Sequence, residues 1–249
     1  MIHVTGPFEI VPGHGPKRHV RVYVPSRAPG QERPVLVLFD GQNVFDDAPS
    51  FAGGWHAHAA VERLAKGVAQ PVIVGIDHGH AHRISELSPF DFRQVRGRLE
   101  ELLGWITGWL LPELRREHRL TATPRRTVVG GSSMGGLAAT YAVLARPDVF
   151  GGAIAMSPSL WIDRGAIFRW AQHRALPAEA RVYLDGGGRE PATMLAGARR
   201  MAELLESRGV HDVRFRDDPR GTHSERSWRR RLLPALRFHF GYARSTRHA

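Results

Sequence analysis

The 249-residue sequence contains no cysteine. That excludes disulfides, thiolate catalysis and cysteine-ligated metal centres, although it fixes no redox compartment. Lysine is nearly missing as well. Lys17 and Lys66 stand alone among 35 basic residues, so arginine carries the formal net charge of +11. No apolar run approaches the roughly eighteen residues of a membrane-spanning helix, and no membrane association is expected. The first residues, MIHVTGPFEIVPG, are broken by Gly6, Pro7 and Pro12. They lack the basic-then-apolar order of a secretory signal, so a cytoplasmic location is the expectation. Repeats, low-complexity tracts and linkers are also missing, and residues 1–249 are expected to form one domain.

The positive charge raises the question of nucleic acid. Arginines are spread from Arg18 to Arg247, and the densest runs, Arg199–Arg200 and Arg229–Arg231, fall on the polar faces of amphipathic helical patterns. Nucleic-acid binders concentrate charge on one element within a recognisable module. None is present, and no nucleic-acid partner is expected.

What is there is a globular alternation of strands and helices. Hydrophobic residues make up 42% and charged residues 24% of the chain. Strands are predicted at Phe8–Val11, His19–Val24, Val35–Phe39, Val72–Ile76, Thr127–Val129, Gly152–Ala155, Arg181–Leu184 and Val213–Arg216. Several are short, continuous and β-branched, as parallel strands covered on both faces should be. The first two, around the turn-forming PGHGPK, read as an antiparallel hairpin. Helices are predicted over Ala59–Ala65 and from about Phe92 to His118. Met194, Ala198, Met201 and Leu205 repeat at helical spacing, as do Trp228, Leu232, Leu236 and Phe240, and both stripes should face the core. The pattern implies a three-layer α/β domain on a mostly parallel eight-stranded sheet.

The stretch TVVGGSSMGGLAATY carries the chemistry. A nucleophilic serine on a sharp strand-to-helix turn is written G-x-S-x-G, with glycines where the turn is strained and crowded. In Gly131-Ser132-Ser133-Met134-Gly135 only Ser133 is centred; Ser132 would need glycine where Met134 stands. Val128–Val129 supplies the strand before it, and Gly136-Leu137-Ala138-Ala139 supplies a closely packing helix after it. Such a serine needs a general base, and the base an orienting acid, in the chain order Ser, acid, His. Among the late histidines His211 opens a strand, His239 lies deep in a terminal helix and His248 is terminal. His223, in DPRGTHSERSW, alone occupies a loop between a strand and a helix. The acid is open among Asp185, Glu190, Asp217 and Asp218. An oxyanion hole would pair the Met134 N–H with that of Gln42, since Gly41 in LFDGQNVFDD lets the backbone come close. Trp161, beyond the sixth strand, is expected at the substrate cleft, and Trp55 is expected either to line its rim or simply to pack in the core. His78, His80 and His82 in DHGHAHR would share one face if extended, and imidazoles bind zinc. No carboxylate or further histidine is evidently placed beside them, so no metal is expected.

Seven blocks in order carry a family likeness: LFDGQNVFD, PVIVGID, RISELSP, GGSSMGGLAATYA, MSPSLW, YLDGGGRE and GTHSERSW. Together they resemble the putative-esterase family of α/β hydrolases, which includes enterochelin esterases, S-formylglutathione hydrolases and mycolyl transferases. The closest likeness is to its short, single-domain bacterial hydrolases. The resemblance implies an α/β-hydrolase fold, a carboxylic ester hydrolase acting on a small-molecule ester, and no cofactor. It matches Ser133 to the nucleophile and His223 to the base. It favours Glu190 over Asp185 as the acid, places an oxyanion amide at Gln42, and sets Arg83 and Glu86 as a pair after VGID that either contacts substrate or forms a salt bridge pinning that loop. Acyl transfer to an alcohol by the same triad, and a non-catalytic binding protein on the same scaffold, are the alternatives.

Overall fold

The computed structural model describes residues 2–10, 16–26, 32–48, 50 and 52–241. Its strands are Ile2–Phe8 (β1), Arg18–Tyr23 (β2), Val35–Phe39 (β3), Val72–Ile76 (β4), Thr127–Ser132 (β5), Gly152–Met156 (β6), Arg181–Gly187 (β7) and Asp212–Asp218 (β8). They form an eight-stranded sheet in the order β1-β2-β4-β3-β5-β6-β7-β8. β1–β2 and β2–β4 pair antiparallel, and every pair from β4 through β8 is parallel. The four strands β3 to β6 are buried at every position, which accounts for their unbroken apolar runs.

Two cores flank the sheet because alternate strand residues face opposite ways. The helices are Ala57–Glu62 (α1), Arg83–Leu87 (α2), Leu99–Trp105 (α3), Leu111–His118 (α4), Met134–Ala145 (α5), Ile162–Gln172 (α6), Ala192–Ser207 (α7) and Glu225–Phe240 (α8). Val35, Val37 and Phe39 pack with Leu99, Leu103 and Leu137 on one side; Leu36 and Leu38 pack with Trp55, Trp228 and Leu232 on the other. The result is the three-layer arrangement expected, and it puts α1 and α8 together on one face. None of the described helices is long and apolar enough to cross a membrane.

Three expectations shift. The first strand runs Ile2–Phe8, not Phe8–Val11; Val11 and most of the PGHGPK turn lie outside the described residues. The sequence pattern failed there because Thr5-Gly6-Pro7 interrupts it. An edge strand tolerates a proline, and the β1–β2 register shifts between Thr5 and Phe8. The long helix begins at Leu99, while Phe92 and Val95 pair within a loop. Between α3 and α4, Ile106–Leu110 widens into a π-helical stretch, where Pro112 has no N–H to return to Gly108. Finally, α2 and α6 occupy stretches too short or too glycine-broken to read as helix.

Candidate active site

β5 ends in the serine pair, and the structure separates the two residues. Ser132 is the last strand residue and is buried. Ser133 turns the corner with φ 56° and ψ −117°, a backbone conformation that costs an L-residue free energy and clusters at functional sites. The crowding glycines are explained by contact. A Cβ on Gly131 would stand 2.7 Å from the Gly135 carbonyl carbon, and one on Gly136 would stand 3.0 Å from Pro158. The corner is held by backbone bonds from Ser133 N–H to Met156 O (2.9 Å) and from Ser159 N–H to Ser133 O (2.9 Å).

His223 and Glu190 meet Ser133 here. The Ser133 Oγ lies 3.0 Å from His223 Nε2, and His223 Nδ1 lies 3.2 Å from Glu190 Oε2. With Ser133 donating to Nε2, Nδ1 carries the proton and donates to the carboxylate. Asp217 and Asp218 make no contact with the imidazole. Asp185, at the same strand end, is occupied elsewhere: its Oδ1 accepts the Ser157 N–H at 3.2 Å. His239, set aside from the sequence, donates its Nε2–H to Ala153 O at 3.0 Å, and desolvation pushes its pKa down to about 3.

The far oxygen of Glu190 is more fully engaged than the one facing His223. Oε1 accepts from Ser157 Oγ (2.7 Å), Gly187 N–H (3.1 Å) and Arg231 Nη2 (3.2 Å). Burial alone would raise this carboxyl's pKa. The hydrogen bonds from His223 and Ser157 and the charge of Arg231 outweigh it and hold the pKa below the ordinary value. Asp185 shows the opposite balance. Its Oδ2 is buried without a partner, and Arg231 Nη1, at 3.0 Å from Oδ1, is not aligned to hydrogen-bond it. Burial therefore wins over the Arg231 charge and pushes Asp185 up to about 7.

Gln42 lies in the 3-10 turn Gly41–Asn43 after β3, and Met134 is the first residue of α5. Neither backbone N–H finds an acceptor among the described residues, which leaves both free for an oxyanion. Gly41 is required for a different reason from the one expected. A Cβ there would come within 2.5 Å of the Gly75 carbonyl carbon, so the turn is pressed against β4. The Gln42 side chain accepts the His78 N–H at 3.3 Å, tying this turn to the histidine loop.

The remaining expected residues divide. Trp161 is 47% exposed, two residues past Ser159, and meets Phe92 edge-on at 5.5 Å. Trp55 is 1% exposed, so it lies in the interior and does not form the rim; it packs on Trp228, which meets the His223 ring edge-on at 4.9 Å. Arg83 and Glu86 do not pair with each other. Arg83 grips Asp40 with two bonds of 2.7 Å, and Glu86 is buried against Arg18 at 2.6 Å while accepting the Gly79 N–H. Both pin the loop after β4. His78, His80 and His82 are not extended, because His80–His82 forms a 3-10 turn and the His80 N–H donates to His78 Nδ1.

Four neighbours escaped the sequence reading. Ser159 Oγ stands 3.2 Å from Ser133 Oγ. Ser157, Trp228 and Arg231 surround Glu190: Trp228 Nε1 and Arg231 Nη2 donate to Ser157 Oγ at 3.1 and 2.8 Å. Arg231, read as one of a solvated arginine run, is 6% exposed. A signal existed. Arg231 follows Trp228 by three residues, on the same helix face as the apolar stripe.

Comparisons with known proteins bear on the family and the fold. A family model described as Putative esterase matches residues 13–239. The iron(III) salmochelin esterase of Escherichia coli O6:H1 is 32% identical over 195 residues, which cover 72% of this chain and 44% of that protein. The enterobactin esterase FES from Shigella flexneri superposes with a TM-score of 0.72 at 26% identity, over 88% of this chain and 54% of that one. The BES protein from Bacillus cereus, 19% identical, shares the fold with a TM-score of 0.76 over 98% of this chain and 95% of its own. The chain thus spans about half the length of the curated relatives it matches.

Proposed function

The chain belongs to the Putative esterase family, and on that premise we propose that it is a carboxylic ester hydrolase working through an acyl-enzyme. The observation that carries this is the unbroken chain Ser133 Oγ, His223, Glu190, with contacts of 3.0 and 3.2 Å. Ser133 Oγ attacks the acyl carbon while its proton passes to His223 Nε2. The resulting imidazolium is stabilised by Glu190 through Nδ1–H. The Gln42 and Met134 N–H groups hold the oxyanion, and the start of α5 adds its positive dipole end. Collapse breaks the ester C–O bond, and the Nε2 proton leaves with the alcohol. Water then attacks the acyl-enzyme, giving a proton to Nε2 that returns to Ser133 as the acid departs.

The matched relatives act on iron(III) salmochelin and enterobactin, so esters of iron-chelating ligands are the substrate class to try first. The Phe92–Trp161 pair would give such a ligand an aromatic wall. The test is labelling by a fluorophosphonate, followed by turnover of p-nitrophenyl, feruloyl and siderophore esters. Labelling at Ser133 with hydrolysis of at least one ester class is expected. An unlabelled protein, or label on Ser132, would overturn the reading.

A further inference from the structure

The loop between the Gln42 turn and α1 gathers a second group of side chains that the ester chemistry does not use. A carboxylate oxygen of Asp46 and one ring nitrogen each of His56 and His58 all lie within 4.8 Å of one another. Two further observations point to a ligand. His58 makes no hydrogen bond to a described residue, and its Nδ1 is buried without a partner. Its ring is boxed by Tyr23, Phe45 and His56, with centroids 5.8 to 6.1 Å away. A buried imidazole nitrogen with nothing to bond is costly, and one common resolution is an ion or an ordered water. His56 in turn is already oriented. Its Nε2 lies 2.9 Å from Asp47 Oδ1, which also accepts the Gly54 N–H at 2.9 Å. A carboxylate that takes one imidazole N–H, fixing the ring and raising the basicity of the other nitrogen, is the usual outer partner of a metal-bound histidine.

We propose that Asp46, His56 and His58 bind a divalent transition metal, zinc by ligand chemistry, with Asp47 orienting His56. Two imidazoles and one carboxylate form a set that zinc takes, with water in the remaining position. Asp46 is exposed, which leaves that side open to solvent. Zinc–ligand bonds of about 2.0–2.2 Å place tetrahedral ligand atoms about 3.4 Å apart, against a present spacing of up to 4.8 Å, and Asp46 is the ligand placed to draw in. Its surface position leaves it free to do so. Calcium and magnesium, which prefer all-oxygen shells, are not expected to bind. The site is independent of the esterase reading. The loop it would tie down is the one bonded through Asn43 O to Trp55 N–H (2.8 Å) and through Phe45 O to His56 N–H (2.9 Å), directly behind the Gln42 turn.

Tag-free protein, stripped with chelator, would be titrated with zinc chloride by calorimetry and followed by thermal melting, with cobalt(II) absorption as a coordination signature. One equivalent of zinc and a rise in Tm are expected, with no response to magnesium. Asp46→Asn, at an exposed position and safe for folding, and His58→Gln should each weaken binding at least tenfold. Asp47→Asn should weaken it by about 10- to 100-fold. His78→Ala with His80→Ala should leave it unchanged. No zinc binding at micromolar protein would overturn the proposal. Binding that survives Asp46→Asn and His58→Gln, or is abolished by the His78/His80 pair, would overturn it equally. Ester turnover enters none of these readouts.

Discussion

Replacing Asp185 by asparagine asks how many negative charges Arg231 faces. Both carboxylates lie against one guanidinium, at 3.0 Å for Asp185 and 3.2 Å for Glu190. Glu190 is held ionised, whereas Asp185, fully buried and with one oxygen unpartnered, is pushed up to about 7 from 3.8. The folded protein therefore holds the Asp185 proton more tightly than the unfolded chain does. The stability this provides is present in full below about pH 4 and is lost as pH rises toward 7. Above 7 both states are ionised and the loss is complete. From pH 5 to pH 8 the window spans about two units at about 1.4 kcal/mol each, so Asp185 costs the folded state about 3 kcal/mol. The amide that replaces the carboxyl in Asp185→Asn has no proton to lose, and its oxygen can still accept the Ser157 N–H. Urea unfolding of both proteins at pH 5 and pH 8 isolates the effect, because titrations common to both cancel. The wild type should lose about 3 kcal/mol more than Asp185→Asn across that range. An equal loss, or a larger one in the variant, would show that Asp185 is ionised throughout and that Arg231 serves two charges.

Three further outcomes are expected. Ser133→Ala should lower kcat by a factor of about 10³ or more, whereas Ser132→Ala, within the strand, should be far milder; equal losses in steady-state assays would sink the assignment. Glu190→Gln should keep the fold by circular dichroism yet lower kcat toward the roughly 10⁴-fold loss seen when a triad acid becomes an amide; full activity would transfer the role to another carboxyl. Gly41→Ala forces a Cβ to within 2.5 Å of Gly75 and must displace the Gln42 turn, so a kcat loss of about 10²-fold is expected, along with a destabilisation of about 1–3 kcal/mol in urea melts. Unchanged kcat there would separate Gln42 from the oxyanion.

What the sequence disclosed follows the range over which each signal acts. The Ser133 corner was legible because its glycines, strand and helix all lie within fifteen residues. The central strands were legible because burial on both faces leaves a continuous apolar run. Choosing Glu190 over Asp185 needed the family likeness, since both follow β7 and the local pattern leaves the choice open. Arg83 and Glu86 read either as a substrate-side pair or as a salt bridge pinning their loop; they do form ion pairs there, but with Asp40 and Arg18, 43 and 68 positions away, a distance no local pattern spans. Trp55 stayed open between rim and core for a similar reason: aromatic character fits both, and its depth is set by α8 packing over it. The histidine loop reads as a polar loop whose histidines would share a face only if extended, and the His80–His82 turn takes them out of that form.

The fully engaged hydroxyl of Ser157 ties Glu190 to one helix. A serine hydroxyl offers one donor and two acceptor sites. Here it donates to Glu190 and accepts from Trp228 and Arg231, so its capacity is filled. Both of those donors come from α8, three residues apart, and His223 sits in the loop immediately before that helix. Trp228 also packs against the His223 ring. A displacement of α8 would thus move His223, Trp228 and Arg231 together, relative to Ser157 and Glu190, which are carried by the segments after β6 and β7. It would alter the approach of the imidazole both to Ser133, at the corner between β5 and α5, and to Glu190. Part of the arginine excess of this chain therefore has a use that composition alone does not reveal. Arg231 is a buried cation on an apolar face, and together with the hydrogen bonds from His223 and Ser157 its charge holds the Glu190 carboxyl below its ordinary pKa despite burial.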